Sequence, residues 1–254
     1  MAVNLDSLEA AKRALRRERR RCVDEREAFR AFKREVGKLK ATAPTASSAP
    51  TPPLIGHQQA TDGSLTRVRR AYERTVMSVP HYDDEYGDSF ADSLTAEFGP
   101  DVAAAFQSAT VFSPALRQTV TSAATEAVAE RMQFVDIVDG EFESVESMAD
   151  EISTLCDRLS FLDDKPVSER GFNELLAVRE NVCRVQTRVD ELAATRQQTI
   201  TDHRRDLSSL VPDVAEYLYQ DLSVRYPILS TLAAVGETLS EALRRVERRL
   251  AATP

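Results

Sequence analysis

Tryptophan is absent from this 254-residue chain, and glycine occurs only eight times. Such scarcity excludes the glycine-built loops of nucleotide and ester chemistry: there is no GxGxxG, no P-loop and no GxSxG. HExxH is missing too. Cys22, Cys156 and Cys183 are an odd number at spacings that fit neither CxxC nor paired zinc ligands. They read as free, buried thiols of a reducing compartment. Cys156 and Cys183 lie at unequal distances from the polar turn Asp163–Ser168, so a hairpin about that turn is not expected to bring them opposite each other. No apolar run approaches the roughly 18 to 20 residues of a membrane span. Beyond Leu8 the N-terminus turns basic with no apolar core of a secretory signal, so the expected location is the cytoplasm. β-branched residues never alternate with polar ones over a strand's length, which leaves helix as the dominant structure.

What is present supports that. Apolar residues recur at three- and four-residue steps through Val145, Met148, Ile152, Leu155, Leu159 and Leu162, and through Leu175, Val178, Val182, Val185, Val189 and Leu192. A strict seven-residue repeat joins Leu8, Leu15, Cys22, Phe29 and Val36, and a fourth stripe runs from Leu232 to Leu250. A mean step of 3.5 keeps one seam turned toward a partner helix. The expected fold is all-α: an elongated, coiled-coil-like bundle with a long antiparallel hairpin and a linker-tethered N-terminal helix. His203 falls in register with Val182, Val189 and Arg196 as a polar seam position.

Charge and punctuation suggest three segments. Residues 1–40 hold 13 basic and 7 acidic side chains, a net of +6, which leaves −14 on the rest of a chain of net −8. Residues 41–64 contain ATAPTASSAPTPP and read as a flexible linker that also holds His57. An acidic helical body follows over 65–254, with its hairpin at about 142–207. One helix is expected from Ser113–Pro114 through Phe134, a separate one over 142–162, and another over 168–207. Gly99 and Pro100 divide a helical pair, Ser89–Phe98 and Pro100–Ala109.

Residues Tyr72 to Pro100 read YERTVMSVPHYDDEYGDSFADSLTAEFGP. Through Tyr72–Val76, Pro80–Tyr82, Glu85–Gly87 and Glu97–Pro100, this block resembles a haloarchaeal helical family of unknown function. The likeness extends over most of the chain. It implies a salt-loving archaeal source, in keeping with the low lysine content, and it implies no activity, cofactor or catalytic residue.

Two features invite a functional reading. In His81–Asp88 (HYDDEYGD), His81, Asp83, Asp84 and Glu85 offer ligands to a hard divalent cation, while His81, Tyr82, Asp83, Asp84 and Tyr86 offer a partner-binding loop. The spacing matches no calcium loop, and a solvated connector accounts for the same residues. Arg13, Arg16, Arg17, Arg20 and Arg21 crowd one helix with like charges four residues apart, which destabilises an isolated helix by a few tenths of a kcal/mol per pair. An anionic partner or the acidic body would relieve this.

The expected function is therefore a non-enzymatic interaction or scaffold protein without cofactors. It would act through seams formed by Leu8, Leu15, Cys22, Phe29, Val36, Val145, Met148, Ile152, Leu155, Leu159, Val182, Val185, Val189 and Leu192, completed by a protein partner or a second copy. Nucleic-acid binding by the N-terminal arginines is the second class, disfavoured at molar salt, where screening shortens to about 3 Å. A metal-dependent activity at residues 81–88 is the third.

Overall fold

The computed structural model describes residues 5–42, 63–160, 162, 165–206 and 213–252. Among them there is no strand. The helices are α1 (Asp6–Lys38), α2 (Gly63–Thr75), α3 (Tyr82–Glu85), α4 (Phe90–Ser108), α5 (Pro114–Arg158), α6 (Phe172–Asp206), α7 (Val214–Tyr219) and α8 (Pro227–Ala251). The all-α class is thus the observed one. No helix among these residues is long and apolar enough to cross a membrane. Of the expected linker, residues 43–62, with His57, lie outside the described residues.

The chain forms two compact units, Met1–Glu18 with Val138–Pro254, and Arg19–Ile137. The N-terminal heptad contributes Leu8 and Leu15 to the first unit and Cys22, Phe29 and Val36 to the second. Leu8, Leu15, Cys22, Phe29 and Val36 are all buried.

In the first unit α5 and α6 run antiparallel, since Glu141 meets Arg196 while Glu151 meets Arg188 further along. Val145, Met148, Ile152, Leu155 and Leu159 are buried on α5, as are Val182, Val185, Val189 and Leu192 on α6. Burying each such side chain contributes about 1.5–3 kcal/mol. α8 joins them, with Arg179 of α6 donating to Glu247 at 3.4 Å and Ser7 of α1 hydrogen-bonded to Thr231 at 3.0 Å.

Two expectations are corrected here. α5 is one helix from Pro114 to Arg158, not two; an interior glycine such as Gly140 costs only about 1 kcal/mol, which packing outweighs. The α5–α6 connection is also longer than a tight turn, running from Arg158 to Phe172. Interpolating from Glu151–Arg188 therefore sets Cys156 and Cys183 level along the pair, where a turn about Asp163 would have staggered them.

The second unit is built around aromatic rings. Tyr72 is fully buried and packs edge-on against Phe32, Phe90 and Phe98, with centroids 5.2, 5.5 and 5.8 Å away. Its hydroxyl lies 3.0 Å from Ser93 Oγ. Tyr72, Phe90 and Phe98 all come from the Tyr72–Pro100 block, so its aromatic positions build core. Inside α4, Gly99 adopts φ 81° and ψ 160°, a conformation left to glycine, and Pro100 starts the helical path again. An alanine there meets no neighbour within 4 Å, so its penalty is backbone strain alone. Gly99→Ala is expected to destabilise the protein by about 1–3 kcal/mol, read as a lowered midpoint in urea.

Candidate functional site

The residues at 81–88 do not form a free loop. Tyr82–Glu85 makes one helical turn, α3, because Tyr82 is buried and anchors it from beneath. The remaining polar side chains divide. Asp83, Asp84 and Glu85 are exposed, with Glu85 paired to Arg21, while His81 turns the other way. His81 Nε2 lies 2.9 Å from Glu25 Oε1, and the Tyr86 hydroxyl donates to the same oxygen at 2.9 Å. Glu85 and the imidazole that the sequence places side by side are therefore committed to different partners, Arg21 and Glu25. Among the described residues no group of three or more His, Cys, Asp or Glu is arranged to hold a metal ion.

Glu25 belongs to a larger polar centre inside the second unit. Arg131 of α5 donates through Nε to Glu25 at 3.1 Å, and through Nη2 to both oxygens of Glu97 at 2.8 and 2.7 Å. Its guanidinium stands 5.1 Å over the Phe29 ring. Burial raises the pKa of Glu97, and Arg131 offsets only part of that rise. Burial works against the charge of Arg131, but Glu97 and then Glu25 outweigh it and hold its pKa above the ordinary value. Burial, followed by the charge of Glu25, pushes the Tyr86 hydroxyl upward. One arginine thus neutralises two carboxylates while His81 and Tyr86 cap the remaining lone pairs of Glu25. This geometry ties α3, α4 and α5 to α1. The Tyr82 hydroxyl is buried with no hydrogen-bond partner among the described residues.

A second polar centre lies in the first unit. Glu141 and Arg196 are 1% and 3% exposed. Arg196 donates to both Glu141 oxygens, at 2.9 and 2.5 Å, and the Tyr219 hydroxyl donates to Glu141 at 2.6 Å. Burial, then the Glu141 charge, raises the Tyr219 pKa. His203 Nδ1 stands 3.9 Å from Glu141, one heptad beyond Arg196.

Of the arginines expected to bind a partner, Arg13, Arg16, Arg17 and Arg20 are exposed, whereas Arg21 is half-buried beside Glu85. Arg16 lies 4.9 Å over the Phe142 ring. Glu25, Glu97, Arg131 and Glu141 were not anticipated as site residues. Their signal was a charge in apolar phase: Arg131 follows Val128 by three and precedes Val135 by four, and Glu141 stands likewise between Val138 and Val145.

A family model described as a domain of unknown function, DUF7260, matches residues 6–243. No curated protein and no solved structure matches the chain.

Proposed function

The chain belongs to the DUF7260 family, a domain of unknown function whose match runs through both compact units, and from that premise we propose that it is a non-enzymatic helical interaction protein. Its seams serve its own fold, and its partner is met by the outer faces of the helices. The observation that carries this reading is that every residue of the helix-pairing seams is buried within the single chain. A seam already filled by its own chain offers nothing to a second helix. Both polar centres fit the same reading, since their hydrogen bonds are spent on joining helices.

The test is solution mass by light scattering, with Leu15→Glu as the companion variant. The wild type is expected to be a monomer, and the variant to lose thermal stability without any change in subunit number. A dimer that Leu15→Glu dissolves into folded monomers overturns the proposal and returns the seam to assembly.

Nucleic-acid binding by α1 is kept as a second reading because Arg13, Arg17 and Arg20 are exposed and make no ion pair with a described residue.

A further inference from the structure

Within the second unit, the outer face of α2 carries Arg67, Arg70 and Arg74 at three- and four-residue steps, so all three project the same way. They meet Glu35 of α1 and Leu39, just past its end, across a groove of about 280 Å³ lined also by the buried Ala71. Arg74 donates to Glu35 at 2.7 Å, which satisfies the one acid of the lining. Arg67 and Arg70 are exposed and make no ion pair with a described residue. Lys38 and Arg34, flanking Glu35 on α1, are exposed and equally without one. In a chain of net −8, three arginines of α2 thus line a single depression that holds one carboxylate, already taken by Arg74.

We infer that the α1–α2 groove is a binding surface for the phosphate backbone of a nucleic acid, with Arg67 and Arg70 as its principal phosphate ligands. Planar guanidinium groups pair with phosphate oxygens through two parallel N–H donors, a geometry that lysine ammonium groups lack. Arg67 and Arg70, without an ion pair among the described residues, stand about 4.5 Å apart along the axis, so both can reach the same stretch of a phosphate backbone. The inference concerns contacts to the backbone, which carry no sequence information, so binding is expected to be sequence-independent. The inference rests on the interaction reading above and names its partner class.

The test is fluorescence anisotropy of a short labelled duplex DNA of mixed sequence, titrated with the full chain over a series of salt concentrations. Circular dichroism verifies folding at each salt. Log affinity is expected to fall linearly with log salt. The double variant Arg67→Gln, Arg70→Gln is expected to bind about tenfold more weakly or worse, and to lower the slope by about two. Arg13→Gln with Arg17→Gln is expected to weaken binding less than the groove variant does, which separates the groove from the α1 stripe. Three results overturn the inference: no binding at the lowest salt that keeps the fold, binding indifferent to the groove variant, or equal affinity for poly-glutamate or for vesicles of anionic lipid. Solution mass is read separately, so a monomer that ignores DNA sinks this inference and leaves the interaction reading standing.

Discussion

Glu141→Ala is expected to destabilise the protein by about 3–5 kcal/mol, because it strands a buried guanidinium. Arg196 is 3% exposed, donates twice to Glu141, and reaches one further acceptor, Ser144 Oγ at 3.2 Å. The Tyr219 hydroxyl loses its acceptor as well. Unfolding in urea measures the effect as a shift in midpoint. The informative companion is the fully apolar variant, Glu141→Leu with Arg196→Met and Tyr219→Phe. Replacing all partners together removes the desolvation penalty along with the bonds, so this triple variant is expected to be more stable than Glu141→Ala by at least 2 kcal/mol or so. A triple variant no better than the single one would show that the site relies on shape and not on charge pairing.

Arg131→Met is expected to be comparably severe, at about 3 kcal/mol or more, since it leaves Glu25 and Glu97 half-buried without their shared cation. This defect depends on pH. Glu97 holds its proton more readily in the folded state than in the unfolded chain. The stability it contributes is therefore greatest in acid, below its unfolded pKa, and is lost as pH rises through its folded pKa. Without Arg131 that loss deepens, because nothing opposes the burial of the carboxylate. The gap between variant and wild type is thus expected to be wider near about pH 8 than near about pH 5. Adding Glu97→Gln to Arg131→Met is expected to recover part of the stability and to flatten the pH dependence. Equal gaps at both pH values, with no recovery by Glu97→Gln, would remove Glu97 as the source.

The seams were legible in the sequence because burial imposes a period that composition cannot hide: Leu8 through Val36 and Val145 through Leu159 are buried as their spacing requires. A period says that a face is covered, but not by what, and so α1 could be read equally as a tethered arm. The polar centres were illegible for the same reason. Arg131 and Glu25 stand 106 positions apart, and nothing local to either announces the other. Only the phase of Arg131 and Glu141 among valines hinted at burial. The short helix α3 escaped notice because HYDDEYGD is acidic, and a single buried ring, Tyr82, was enough to order it. Arg67 and Arg70 were hidden differently. Outward-facing arginines resemble any solvated helix face until a second helix is placed beside them.

The Glu141–Arg196 pair also bears on how the chain finds its fold. Two long helices lined with valine and leucine can meet in several alignments, offset from one another by whole heptads, with similar apolar contact in each. Only one alignment sets Glu141 against Arg196. An offset of seven residues in one direction sets it against Val189, and in the other against His203. The first leaves a carboxylate in hydrocarbon, and the second supplies a much weaker partner. The charged layer is thereby expected to disfavour both shifted alignments of α5 and α6 relative to the native one.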